Sequence, residues 1–296
     1  MNSSFAMETG ELLKRVRKIE IKIKGLSRNM FSGEYHSAFK GRGMSFSEVR
    51  TYQFGDDVRN IDWNVTARTG EPHVKIYEEE RELTVMLLVD ASRSSLFGAV
   101  GQFKSEIIAE ICALLAFSAI SNNDKVGLAL FTDRVELYIP PQKGSRHILR
   151  IIRELIHFQP SGKGTELGKA LEFFCHVIKK RSICFVIGDF FAEGYEDALR
   201  VAARSHDVIG VRVTDRREES LPDIGLVRTQ DAETGATGWL DTGAPWVRAA
   251  YARRYVESSQ YFRTTFLKTG ADVVDLKTDE SYIQAFLQFF QKRSGR

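Results

Sequence analysis

From Thr84 onward, short apolar runs alternate with stretches of helical spacing, and this alternation narrows the possible folds more than any other feature of the chain. An apolar run without polar interruption needs cover on both faces, which a parallel sheet flanked by helices supplies. Strands are predicted over Thr84 to Val89, Val126 to Phe131, Ile183 to Gly188, Val208 to Val213 and Asp272 to Leu276. Between them, Phe103, Ile107, Ile111, Leu114 and Ser118 share one helical face. Ile148, Ile151, Ile152 and Leu155 share a second, and Leu167, Leu171, Phe174 and Ile178 a third. Val135 to Ile139 follows Phe131 across a short turn at Asp133, which predicts an antiparallel edge strand. Leu226 to Leu240, broken at Thr234-Gly235, predicts another hairpin, and a helix from Tyr282 carrying Ala285, Phe286, Phe289 and Phe290 closes the domain. The expected class is α/β, with a mostly parallel sheet flanked by helices.

Residues 83–296 form this domain, and two shorter segments precede it. In residues 1–30, Leu12, Val16, Ile19, Ile23 and Leu26 repeat with helical spacing among Lys14, Arg15, Lys18 and Lys22, giving a basic amphipathic helix. Such a helix could lie on an anionic membrane, but docking on the following domain is the expectation. Residues 31–82 read as an irregular, motif-rich segment in which alternation such as His73 to Tyr77 predicts short strands.

Composition removes several classes of function. Forty-two Lys plus Arg against 39 Asp plus Glu leave a net charge of +3 on 296 residues, too little for a nucleic-acid-binding surface. Cys112, Cys175 and Cys184 show no CxxC spacing and lie in apolar runs, so they are expected as buried, reduced thiols. Residues Met1 to Gly10 lack the apolar core of a signal peptide and no run reaches a membrane span, so a cytoplasmic protein with no membrane association is expected.

Ligands of open α/β sheets bind outside the carboxyl ends of the strands. The first strand of the domain ends in Asp90-Ala91-Ser92-Arg93-Ser94, one carboxylate and two hydroxyls at alternate positions. The strand Ile183 to Gly188 runs into Asp189, and Ser161-Gly162-Lys163-Gly164-Thr165 opens a helix between them. Asp90, Ser92, Ser94, Thr165 and Asp189 make an all-oxygen set suited to a hard divalent cation, Mg²⁺ first, with Mn²⁺ or Ca²⁺ as alternatives. Two carboxylates roughly neutralise such an ion and leave coordination positions open, so an acidic side chain of another molecule can complete it. Plain structural roles compete with this: Ser92, Ser94 and Thr165 as helix caps, Asp189 as a turn residue.

The order Asp90-x-Ser92-x-Ser94, Thr165, Asp189 resembles the metal-ion-dependent adhesion site of von Willebrand factor type A domains. Upstream, Gly41-Arg42-Gly43, Phe46, Glu48, Arg50, Tyr52, Gly55-Asp56-Asp57, Arg59, Ile61-Asp62-Trp63 and Ala67-Arg68 resemble the signature of the domain-of-unknown-function 58 family. That resemblance implies a von Willebrand A-like domain, and a partnership with a MoxR-type AAA+ ATPase in assembling or maturing protein complexes. The block from Arg50 to Arg68 has two readings: an internal ion-pair network that fixes the segment against the α/β domain, or a docking surface anchored by Trp63.

Enzyme motifs are incomplete. Asp90 after a buried strand resembles the nucleophile of haloacid-dehalogenase-type phosphatases, but Ser92 stands where the second carboxylate of Asp-x-Asp belongs. Gly162-Lys163-Gly164-Thr165 departs from a P-loop because Gly164 separates Lys163 from Thr165. His36, His73, His147, His157, His176 and His206 have no zinc-binding spacing. The expected function is therefore a non-catalytic, metal-dependent protein-binding module, and the alternative is a Mg²⁺-dependent phosphoryl-transfer enzyme with Asp90 as nucleophile.

Overall fold

A computed structural model describes residues 16–22, 32–39, 44–79, 82–93, 104–231 and 235–295. Residues 16–22 are helical (α1), followed by α2 (Ser32–Phe39), β1 (Met44–Thr51), a 3₁₀ turn (Val58–Asn60), α3 (Trp63–Thr69) and β2 (His73–Glu79). The domain then runs β3 (Thr84–Asp90), α4 (Lys104–Ser121), β4 (Lys125–Phe131), β5 (Val135–Gln142), α5 (Ser145–His157), α6 (Leu167–Val177) and β6 (Ile183–Gly188). It continues with α7 (Glu196–Ser205), β7 (Asp207–Thr214), α8 (Arg216–Glu219), the hairpin β8 (Leu226–Gln230) and β9 (Thr237–Asp241), α9 (Pro245–Lys268), β10 (Asp272–Lys277) and α10 (Tyr282–Ser294).

The main sheet has six strands in the order β10-β7-β6-β3-β4-β5. All neighbours are parallel except β4 and β5, so the predicted antiparallel edge is present. Counted within the domain, β3 is its first strand and β6 its fourth. The chain therefore lays strands outward on one side of β3, then returns to start the other half at β6. That pair is the topological switch point, where the connections leave the sheet in opposite directions and open a crevice.

Side-chain alternation in β3 shows why its sequence is uniformly apolar. Val85, Leu87 and Val89 enter one core with α4, α5 and α10, while Met86 and Leu88 enter a second with α6, α7 and α9. Each fully buried side chain of this size contributes roughly 1.5–3 kcal/mol. Val16 and Ile19 of α1 and Tyr35 and Phe39 of α2 join the first core, so the described part of the basic helix docks on the domain. Lys22 of α1 adds a 2.6 Å ion pair with Glu110 of α4.

Four expectations need correction. The helix predicted with one apolar face, α4, is buried on all sides from Ile107 to Ala119, because α5, α2 and the sheet enclose it. Residues 31–82 contain two helices, α2 and α3, beside the antiparallel pair β1–β2. A helix of 24 residues, α9, stands where no element was expected: only Val247, Phe262, Thr265 and Phe266 are buried, too sparse a pattern to carry a helical period. Cys112 and Cys184 are buried free thiols, but Cys175 is half-buried. Leu12, Ile23, Leu26, Gly41 to Gly43, Ser94, Phe103 and Thr234 lie outside the described residues. Among the described residues no helix is long and apolar enough to cross a membrane.

Candidate functional site

The oxygen ligands expected from the sequence fall at the switch point. Asp90 ends β3 and Asp189 follows β6, and both are nearly buried, at 4% and 8% exposure. One carboxylate oxygen of Asp90 accepts the Ser92 N–H at 2.8 Å, folding the loop so that Ser92 is itself buried. Gly188 lets the two strand ends close up: a Cβ there would lie 2.9 Å from the Asp90 Cβ and 3.4 Å from its Oδ2.

Thr165 completes the described set. Its hydroxyl reaches Asp90 Oδ2 at 3.5 Å instead of capping α6, whose N-cap is Glu166 without a side-chain bond. The segment that carries it is clamped by Glu136 of the edge strand. The Glu136 carboxylate accepts from Thr132 Oγ1 (2.6 Å), Ser161 Oγ (2.5 Å), the Ser161 N–H (2.9 Å) and the Gly162 N–H (2.9 Å). Burial raises this carboxyl's pKa, but the Ser161 and Thr132 hydroxyls and the two N–H groups outweigh it and hold it at about 2. Gly162 is required for the close approach, since a Cβ would stand 2.1 Å from Thr132 Oγ1.

Asp189 is held from three sides. Its main-chain oxygen accepts Arg212 Nε at 3.0 Å, one carboxylate oxygen accepts the Phe191 N–H at 3.3 Å, and the other takes Lys104 Nζ at 3.1 Å. The next residue, Phe190, has the left-handed φ of 56° that non-glycine residues rarely adopt. Its ring is locked against Phe262 at 4.3 Å and Phe266 at 5.3 Å between centroids, which sustains that conformation and aims Asp189. Arg212 is fully buried in β7 with its guanidinium 4.8 Å from the Tyr255 ring centroid and 5.7 Å from that of Phe191. Its two terminal nitrogens have no hydrogen-bond partner among the described residues.

Lys104, the first residue of α4, was not among the expected site residues. It is 1% exposed and bridges Asp189 to Glu218 of α8, 2.6 Å from Glu218 Oε1. Burial works against the ammonium, but Asp189 and Glu218 outweigh it and hold its pKa above the usual lysine value.

The donors fit a hard cation by type: two carboxylates with the Ser92 and Thr165 hydroxyls, all oxygen. Asp90, Ser92 and Thr165 are the residues that would hold it directly, with Asp189 alongside. Among the described residues there is no group of three or more His, Cys, Asp or Glu side chains that could hold a metal. Crevices lined by described residues beside Asp90 have volumes of about 50 and 10 Å³, the scale of ions and waters. A larger cleft of about 490 Å³ lies elsewhere, between α7 and α9, lined by Glu196, Arg200, Glu257 and Tyr261 among others.

In the upstream block the charges pair locally. Arg50 grips Asp56 with two bonds of 2.7 and 2.8 Å, and Asp57 caps the 3₁₀ turn and pairs with Arg59 at 2.9 Å. Asp62 caps α3 through the Asn64 and Val65 N–H groups and meets Lys75 at 3.5 Å. The Tyr52 N–H donates to the Pro72 carbonyl, Gly55 turns the chain at a φ of 109°, and Arg68 stands in the last turn of α3. These bonds brace the segment itself. Trp63, expected as an anchor, is 70% exposed, with Phe54 and Val58 exposed too.

Fold and site together define a doubly wound α/β protein with small crevices at its switch point, where Asp90, Ser92 and Thr165 stand among mostly apolar side chains. The chain belongs to the family described as "Protein of unknown function DUF58", whose model matches residues 48–261. It is 29% identical over 286 residues to the uncharacterized protein Mb1516 of Mycobacterium bovis, covering 96% of this chain and 90% of that one. Among solved structures it is similar to the conserved hypothetical protein BatB from Bacteroides thetaiotaomicron (18% identity, TM-score 0.47, covering 72% of this chain and 100% of that one). It is also similar to the SpRpn10 VWA domain (11% identity, TM-score 0.37, covering 70% and 93%).

Proposed function

We propose that this protein is a non-catalytic, cytoplasmic protein-binding module that holds a divalent cation, Mg²⁺ in the first place, through Asp90, Ser92, Thr165 and Asp189. The observation that carries the proposal is the Asp90 carboxylate at the switch point of the sheet, which meets the Ser92 N–H at one oxygen and the Thr165 hydroxyl at the other, with Asp189 following the neighbouring strand β6. Ser94 belongs to the proposed set by sequence alone.

The chain's own residues do three things there. Asp90 supplies a carboxylate fixed by the Ser92 N–H, Glu136 holds the loop that presents Thr165, and Arg212 with the Phe190 cluster fixes Asp189. A bound cation would supply an electrophilic position for an acidic side chain of a partner. The sequence resemblance supports a MoxR-type AAA+ ATPase as the partner, with the module serving as its adaptor in assembly or maturation of other complexes.

Co-expression with such an ATPase tests this reading: the two co-purify in Mg²⁺ and separate in excess chelator. Persistence of the complex in chelator overturns metal-mediated docking. Turnover of p-nitrophenyl phosphate that needs Mg²⁺ and disappears in Asp90→Asn would replace the module with a phosphoryl-transfer enzyme.

A further inference from the structure

A lysine ammonium 1% exposed is costly to bury, and here it touches a carboxylate of the candidate metal site. Two acidic groups share this one cation. Glu218 is the nearer, at 2.6 Å against 3.1 Å for Asp189. Glu218 is also fixed independently: its other carboxylate oxygen accepts the Asp215 N–H at 2.9 Å in the capping box of α8, so Oε1 is turned toward Lys104. Asp189 stays in place through its main-chain bond to Arg212 whichever cation it faces. One ammonium thus has two seats, and only one of them belongs to the metal site.

We propose that Lys104 is a built-in cation that competes with the divalent metal for Asp189, with Glu218 as the seat it keeps when the metal takes that carboxylate. The inference rests on the metal reading above and adds its regulation. In the metal-free protein Lys104 neutralises Asp189 and keeps the crevice ordered. When a metal is present the ammonium withdraws to Glu218, so Asp189 faces a cation in both states and the metal is held weakly enough to be exchanged. Lys104 acts through Asp189 and is a positioning residue.

Calorimetric titration of the whole chain with Mn²⁺ tests the proposal. Lys104→Met removes the competitor, and affinity is expected to rise about tenfold or more, as follows from deleting a unit charge a few ångströms from a cation in a partly desolvated site. Glu218→Gln keeps the capping box but strands Lys104 on Asp189, and affinity is expected to fall severalfold. In an Asp189→Asn background, Lys104→Met brings a much smaller gain, only that of the removed charge, because there is no carboxylate left to compete for. A folded Lys104→Met protein with unchanged or weaker affinity overturns the inference, as does a gain that persists fully in the Asp189→Asn background. If Lys104→Met does not fold, Glu218→Gln decides by comparison with the Asp189→Asn background: a loss clearly larger when Asp189 is present supports the competition, and unchanged binding or an equal loss in both backgrounds overturns it. Absence of Mn²⁺ binding by the wild type and all variants removes the metal reading and this inference with it, a different result from tight binding that ignores Lys104.

Discussion

Glu136 offers the sharpest check on how Thr165 is positioned. Replacing it with Gln swaps one acceptor oxygen for an NH₂ group that faces the donors of Thr132, Ser161 and Gly162. At least two charge-assisted bonds are lost, each worth about 1.5–3 kcal/mol when shielded. Ser161 is exposed, so screening brings the expected loss to about 1–2 kcal/mol. The sign with pH follows from the lowered pKa. The folded carboxyl titrates at about 2 and the unfolded one near the ordinary glutamate value, so the stabilisation is present above that value and disappears as pH falls toward 2. About half of it is gone near pH 3. Urea unfolding of wild type and Glu136→Gln between pH 7 and 3 should therefore show a gap that narrows with acid. Metal-induced stabilisation should also weaken in the variant, since Thr165 loses its support. A gap of the same size at pH 7 and pH 3, or none at pH 7, would refute the clamp.

Two further expectations concern close contacts. Gly188→Ala forces a methyl group to 2.9 Å from the Asp90 Cβ, which should cost about 1–3 kcal/mol in urea unfolding and weaken Mn²⁺ binding more than tenfold; wild-type affinity would mean that the strand ends are not held this closely. Arg293 is 8% exposed, pairs with Asp207 and with Asp272 (2.7 Å), and stacks 4.6 Å from the Phe39 ring centroid, so Arg293→Ala should lose about 3–5 kcal/mol by removing the cation that these two carboxylates share together with its packing on Phe39. A loss below about 1 kcal/mol in the same assay would show that these carboxylates are solvated well enough without it.

The α/β class was legible because β3, β4 and β6 are covered on both faces, so their sequences are apolar without alternation. The edge strand was legible from the short turn at Asp133, and Asp90, Ser92, Thr165 and Asp189 from their places at strand and helix ends. What the sequence hid has physical causes. The contact of Lys104 with Asp189 spans 85 residues and that with Glu218 spans 114, distances over which local pattern carries no information. Arg212 does carry a local signal, since a lone charge in the buried run Val208 to Val213 calls for a partner. Helix α9 escaped because its surface is mostly polar, and the local pairing of Arg50, Asp56, Asp57 and Asp62 is a matter of loop geometry that residue types alone leave open.

The central claim is that Asp90 holds a divalent cation. Thermal unfolding with and without Mg²⁺ tests it most directly, since a ligand bound only by the folded state at a hundred times its Kd adds about 2.7 kcal/mol. For a domain of this size that is about 5–10 °C in Tm. The account predicts this rise for the wild type and none for Asp90→Ala; an equal rise in both would contradict it.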